Sequence, residues 1–253
     1  MGSTVSVTKE LTALLTSLDG LGPTALSSCP GWSAHHLAAH IAGNYEEVRG
    51  HVEAFGDGQP LARTRTWEER EEPLRRLDYV GLLRRIESEA ARTSAVTDAV
   101  LEEQPGARLT WTGRTVPVSG FLTHMRSEDA LHRWDLVGDD DTSHALLGQQ
   151  DLLAHAVTFI GQPLLRRGCG AGAAANPFTG RVRTPDRDDL ILVAHDDDAQ
   201  VAIGPQEGPG DIVGDAAARL LLLWGRKPTP FSRLRGTSDE ATVSALQALL
   251  AGY

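Results

Sequence analysis

The sequence predicts an α+β protein, with a helical bundle in its N-terminal two thirds and a smaller domain of mixed strands and helices after it. Apolar residues recur with a helical period in residues 7–18, 34–51, 67–103, 118–137 and 145–166. Later in the chain, residues 190–194 and 201–203 are short apolar runs of strand length. Helical patterns return in residues 214–224 and 240–250. This change of pattern along the chain is the basis of the predicted fold class.

Small residues separate the two halves. The stretch Gly168–Pro177 consists mainly of glycine and alanine and has no helical period, which is typical of a linker or loop. We therefore expect a helical domain in residues 1–167 and an α+β domain in residues 177–253.

Turn and cap residues set several element boundaries. Ser33 is a favourable N-cap for the helix that starts at Ala34. Pro73 is expected to interrupt the helical pattern of residues 67–103 or to lie in a first turn. Residues 109–116 indicate a short hairpin-like link before the helix that begins near Val118.

Composition excludes several classes of partner. The chain has 253 residues, 41% of them apolar, and a net charge of −10. Without a basic cluster, we expect no nucleic-acid partner and no anionic-membrane partner. The sequence has two cysteines, no apolar run of transmembrane length and no secretory pattern at its N-terminus, so a reducing cytoplasm is the expected location.

One helix carries a metal-ligand pattern. His124, Glu128 and His132 are spaced four residues apart, and Asp135 follows three residues later on the same side. Residues at this spacing share a helix face. Imidazole and carboxylate groups are ligands for a borderline cation such as zinc.

A second helix supplies a further histidine. His40 lies on the same face as Leu37 and Ile41, so it must be hydrogen-bonded or liganded if it is buried. Together with Glu128 and His132 it makes a three-ligand set, which leaves a fourth position open, as in catalytic zinc sites. The alternative is a hydrogen-bonded core histidine beside a surface pair of Glu128 and His132.

Three segments resemble one known family. They are Pro30-Gly31-Trp32-Ser33 with Leu37 and His40-Ile41-Ala42-Gly43, then Glu128-Asp129-Ala130-Leu131-His132-Arg133-Trp134-Asp135, then Leu223-Trp224-Gly225-Arg226. In this order they resemble signatures of the mycothiol-dependent maleylpyruvate isomerase family, whose members begin with a DinB-like four-helix bundle. The three segments span most of the chain.

The resemblance implies a site and a chemistry. The family's metal ligands correspond to His40, Glu128 and His132, and its C-terminal arginine, which holds a substrate carboxylate, corresponds to Arg226. The cofactors implied are a divalent metal, zinc first, and mycothiol or another low-molecular-weight thiol. A metal lowers the pKa of a thiol and holds the nucleophilic thiolate. For Arg226 the alternative is a cation that complements a helix C-terminus.

Other residues near these motifs have two interpretations. His124 is expected to be a neighbour of the site and not a ligand, while Asn44 and His51 could line the pocket. For Asp135 a local pair with Arg133 is favoured over a contact that orients His132. Trp32 and Trp134 are expected to pack in the core, and Cys29 to fill a small apolar space.

The expected function is a metal-dependent thiol S-transferase or cis–trans isomerase acting on a small electrophilic substrate. A metal-dependent hydrolase, with water on the open position, is the alternative enzyme. A metal-stabilised bundle that binds a small molecule without catalysis is the non-enzymatic alternative. Dependence of turnover on thiol separates the two enzymes.

Overall fold

The computed structural model describes residues 7–170, 178–195, 198–226, 233–236 and 240–250. The chain forms two compact units, which divide between Asp140 and Asp141. Each unit has its own buried core. The first is helical and the second combines helices with a sheet, so the predicted α+β class is confirmed.

The first unit is a four-helix bundle. The helix α2 packs along α4, and α1 packs along α5. Apolar faces close the core between them, with Leu14, Leu37, Leu82 and Phe121 fully buried. The helices are α1 Lys9–Leu21, α2 Ala34–Gly56, α3 Trp67–Glu71, α4 Tyr79–Glu103 and α5 Gly120–Val137, with a 3₁₀ turn at Leu74–Arg76.

Local sequence determines the ends of these helices. Ser33 caps α2 through a capping box with His36, as its position predicts. The predicted interruption at Pro73 is confirmed, because α3 ends at Glu71 and α4 begins only after the N-cap Asp78. Proline lacks the N–H that a continuous helix needs.

The predicted hairpin is also confirmed. Strands β1 Arg108–Trp111 and β2 Arg114–Pro117 pair antiparallel. Thr112 and Gly113 connect them, with φ of 48° and 77°. Two positive φ angles in a two-residue loop match the twist of the flanking strands.

The second unit begins with three short helices, where the sequence predicted one helix over residues 145–166. They are α6 Asp141–Leu147, α7 Gln150–Ala156 and α8 Gln162–Gly170, with a π-helical turn at Val157–Gly161. Gly148 breaks the first, and a Cβ there would meet the His144 carbonyl oxygen at 2.8 Å. These helices pack with the second unit. The two compact units therefore divide before α6, whereas the sequence pattern indicated a domain boundary near residue 168. Residues 171–177 of the expected linker lie outside the described residues.

A five-stranded sheet forms the rest of the second unit, in the order β5-β4-β3-β6-β7. Its pairs are antiparallel except for β3 and β6, which are parallel. The sequence predicted β4 and β5 but not the other three strands. The strands are β3 Phe178–Arg183, β4 Asp189–His195, β5 Asp198–Gly204, β6 Ile212–Gly214 and β7 Leu234–Gly236.

The two predicted C-terminal helices are confirmed, as α9 Ala216–Leu223 and α10 Glu240–Leu250. Residues Leu220–Leu223 are buried on every side of α9. Among the described residues, no helix combines the length and the apolar character needed to cross a membrane.

Candidate metal centre

Three side chains from two helices meet inside the bundle. His40 comes from α2, and Glu128 and His132 come from α5. One ligand-type atom of each lies within 4.8 Å of the others. All three are buried, with exposed fractions of 6%, 8% and 4%. The proximity expected from the sequence is therefore present, and Glu128 and His132 are not a surface pair. Their role as metal ligands stays a prediction.

The distances place Glu128 between the two imidazoles. Its Oε2 lies 3.1 Å from Nε2 of His132 and 3.8 Å from Nε2 of His40. The four-residue spacing on α5 stacks Glu128 under His132. Both rings thus present the same nitrogen to one carboxylate oxygen.

A chain of polar contacts fixes the His40 ring. Its Nδ1 lies 2.7 Å from Oε1 of Glu71, whose other oxygen accepts a hydrogen bond of 2.7 Å from Arg75. Glu71 is fully buried, and Asn44 Nδ2 lies 3.0 Å from Nε2 of His40. A proton on Nδ1 satisfies Glu71 and leaves the Nε2 lone pair facing Glu128. This is the tautomer that a metal-binding histidine needs.

Asp135 lies against the other histidine. Its Oδ2 is 2.9 Å from Nδ1 of His132. The contact with His132, which the sequence disfavoured, is thus present, and Arg133 donates two hydrogen bonds, of 2.8 and 2.7 Å, to Asp140. Each imidazole of the cluster therefore has a carboxylate on its Nδ1 side.

The electrostatics of the cluster favour charged forms. Burial raises the pKa of Glu128, but His132, His40 and His124 hold it well below its usual range. Burial lowers the pKa of His132, but Asp135, Cys29 and Glu128 hold it well above its usual range. Without a cation, a proton on His132 thus balances the buried carboxylate. A cation could replace that proton, since metal ligands bind in their deprotonated forms.

The next residue on α5 behaves in the opposite way. Burial raises the pKa of Asp129 to about 8, although the hydroxyl of Tyr45 donates a hydrogen bond of 2.7 Å to its Oδ2. Its Oδ1 has no hydrogen-bond partner within the described parts of the chain. The pKa values of these two adjacent carboxyl groups thus shift in opposite directions, because burial and the charges of Glu128 and Glu10 outweigh the effect of His132 at Asp129.

Two tryptophans flank the cluster. The ring centroid of Trp32 lies 5.0 Å from that of His40 and 6.5 Å from that of His132. Trp67 lies 6.2 Å from His40 and 6.5 Å from Trp32, and it is partly exposed. Trp32 therefore borders the site, where the sequence favoured a core packing role. Trp134 is buried, as expected.

The other polar residues that the sequence placed near the site differ in their distance from the cluster. Nε2 of His124 lies 3.4 Å from Oε1 of Glu128, and His124 is not part of the three-residue cluster. Asn44 contacts His40. His51 instead contacts the carbonyl oxygens of Glu47 and Ala62 and lies outside the site.

Cys29 occupies a polar position and not the apolar one expected. It lies in the loop before α2, where its thiol donates a hydrogen bond of 3.3 Å to Oδ2 of Asp135. The same loop is anchored by Ser28, whose hydroxyl donates to Oδ1 of Asp135 at 3.0 Å. Asp135 therefore joins this loop to His132.

The sequence did not predict that Glu71 and Trp67 lie beside His40. Both come from α3, 31 residues from His40 in the case of Glu71. Carboxylates are frequent around these positions, so nothing local distinguishes Glu71 from Glu69 or Glu72. The fold alone brings it to His40.

Arg226 lies in the second unit, at the end of α9. Its backbone N–H donates to the carbonyl of Leu221, and that of Gly225 donates to Leu222. Gly225 has a φ of 70°. This is a Schellman motif, in which glycine tolerates the left-handed conformation. Arg226 is half-buried directly after this turn.

Fold and site together define a two-unit α+β protein with a candidate metal centre in a helical bundle. Residues 6–137 match the family model of the mycothiol maleylpyruvate isomerase N-terminal domain. The chain belongs to this family.

Two solved structures resemble the chain, and no curated protein sequence matches it. One is a crystal structure of the mycothiol-dependent maleylpyruvate isomerase, with 17% identity and a TM-score of 0.63. The other is a histidine-to-alanine mutant of that enzyme, with 18% identity and a TM-score of 0.63. Each alignment covers 91% of this chain and 90% of the other. At this identity the likeness concerns the fold.

Proposed function

We propose that this protein is a metal-dependent enzyme that uses a low-molecular-weight thiol such as mycothiol to isomerise a small electrophilic substrate. The buried cluster of His40, Glu128 and His132 is the observation that carries the proposal. Membership of the family supports the thiol. An S-transferase reaction would begin with the same addition of thiol to the substrate. Its product would keep the carbon–sulfur bond, which distinguishes it from isomerisation.

His40, Glu128 and His132 would hold the cation, with zinc the best match to two nitrogens and one oxygen. Three protein ligands leave a position for a thiol or substrate atom. The bound cation would supply a lowered thiol pKa and hence a thiolate at neutral pH.

The protein's own residues prepare this site. Glu71 orients His40, and Asp135 lies against His132, so neither ring is free to turn. Trp32 and Trp67 cover the cluster with aromatic surface, which limits access of water.

Isomerisation consumes no thiol, because the thiolate that adds to the substrate is released again. A thiolate adds to one carbon of a conjugated double bond, and the adjacent carbanion is stabilised by the conjugated carbonyl. The resulting single bond rotates, and elimination then restores the double bond and releases the thiolate. A transferase would instead protonate the carbanion and keep the carbon–sulfur bond.

Removing a ligand should remove the metal. We expect about one divalent ion per chain in the purified protein and loss of most of it in His40→Ala and His132→Ala. Elemental analysis with far-ultraviolet circular dichroism measures metal and fold together. His144→Ala, at an exposed histidine outside the bundle, is the control. Stoichiometric metal in both ligand variants would contradict the site.

Neutralising Glu71 should weaken metal binding without removing a ligand. In Glu71→Gln the amide no longer provides a charged acceptor for His40 Nδ1, so we expect a loss of roughly tenfold to a hundredfold in zinc affinity. Chelator competition measures this affinity. Glu72→Gln is the control, since Glu72 pairs with Arg76 instead. Equal affinities in the two variants would exclude a positioning role for Glu71.

A thiol should join the metal. In cobalt-substituted protein, we expect a low-molecular-weight thiol to change the visible absorption spectrum, because sulfur becomes a ligand at the open position. Turnover of a conjugated cis-diacid should require the same thiol. An unchanged spectrum, together with turnover in the absence of thiol, would favour a hydrolase.

Arg226 is proposed to bind an anionic group of the substrate or thiol. Lysine keeps the charge but loses the planar fork that pairs with carboxylates. We expect Arg226→Lys to lower kcat/KM by about tenfold or more, since hydrogen bonds to charged groups are worth about 1.5–3 kcal/mol. Metal content should not change. Arg166→Lys, at an exposed arginine of the same unit, is the control. Equal kcat/KM in the two variants would exclude substrate binding by Arg226 and leave its interaction with the helix C-terminus as its role.

A further inference from the structure

The ring of His132 takes part in two clusters. Its Nε2 faces Glu128 in the cluster described above. On the Nδ1 side, His132 forms a second group with Cys29 and Asp135, in which one ligand-type atom of each residue lies within 4.8 Å of the others. Sulfur, nitrogen and oxygen donors in one group are a ligand set for zinc and for softer cations.

Three donor atoms lie close together on this side of the ring. His132 is 4% exposed, and its Nδ1 lies 2.9 Å from Oδ2 of Asp135. The same Oδ2 accepts the hydrogen bond of the Cys29 thiol. A cation could replace the protons between these atoms, since metal ligands bind in their deprotonated forms.

The third donor is held at the same carboxylate. Cys29 Sγ lies 3.3 Å from Oδ2 of Asp135, and its loop is fixed by the Ser28 N–H, which donates to the Asp135 backbone carbonyl at 2.6 Å. Cys29 is half-exposed, and its neighbours Ser28 and Pro30 are exposed. The group is thus preorganised and accessible from the loop side.

We propose that Cys29, His132 and Asp135 form a second cation site, for a thiophilic divalent ion such as Zn²⁺ or Cd²⁺. Binding displaces the thiol proton of Cys29 and the Nδ1 proton of His132, and both protons pass to solvent. Where a first cation is already held at Nε2, a second cation would have to displace the remaining ring proton, so this site would fill only at excess cation.

A cadmium titration tests this site directly. Cd²⁺ is added to wild type, Cys29→Ser and Cys169→Ser, and thiolate ligation is followed by its ultraviolet charge-transfer absorption, with bound cadmium counted by equilibrium dialysis. Cys169 is the chain's other free cysteine and lies in the second unit. We expect the band and one extra Cd²⁺ per chain in wild type and Cys169→Ser, and neither in Cys29→Ser.

The Asp135→Asn variant distinguishes cation binding by all three residues from cation binding by the Cys29 thiol alone. We expect its cadmium affinity in the charge-transfer assay to fall by roughly tenfold or more, with its helical circular dichroism retained. Equal cadmium binding in wild type and Cys29→Ser, or an unchanged affinity in Asp135→Asn, would overturn the proposal. The two sites share His132, and metal in the untreated Cys29→Ser protein reports separately on the first cluster, because that variant keeps His40, Glu128 and His132.

Discussion

The carboxylate of Glu128, buried between imidazoles, is the constraint on which the rest of the site depends. Burial alone favours the protonated form of a carboxyl group, and it raises the pKa of Asp129 to about 8 despite the hydrogen bond from Tyr45. Glu128 keeps its charge because hydrogen bonds and positive charge from the neighbouring histidines, His132 first, hold its pKa well below the usual range. A divalent cation at the same place would satisfy all three groups at once, which is the physical reason for proposing a metal site here.

The surrounding contacts define which nitrogen of each ring is available. Glu71 takes the Nδ1 side of His40, and Asp135 takes that of His132. Such contacts fix ring orientation and increase ligand basicity. Asp135 also anchors the loop that carries Cys29, so this loop and one proposed ligand share a single carboxylate. A change at Asp135 therefore alters both together.

The parts of this fold that follow from local periodicity could be predicted from sequence. The helical pattern predicted that His40, Glu128 and His132 lie on inward faces. The N-cap residue Ser33 predicted where α2 begins. Contacts between distant segments could not be predicted in this way. Glu71 reaches His40 from another helix, and its neighbours in sequence are chemically alike. The strands β3, β6 and β7 also lack a clear apolar run, and they are defined by pairing within the sheet.

X-ray absorption spectroscopy of the zinc-loaded protein, with and without a low-molecular-weight thiol, identifies the atoms that bind the cation. In the protein alone, we expect nitrogen and oxygen ligands at about 2.0–2.2 Å, with imidazole scattering from two histidines. Added thiol should bring one sulfur to about 2.3 Å. Zinc without two imidazole ligands, or with a ligand set that no thiol changes, would rule out the proposed centre.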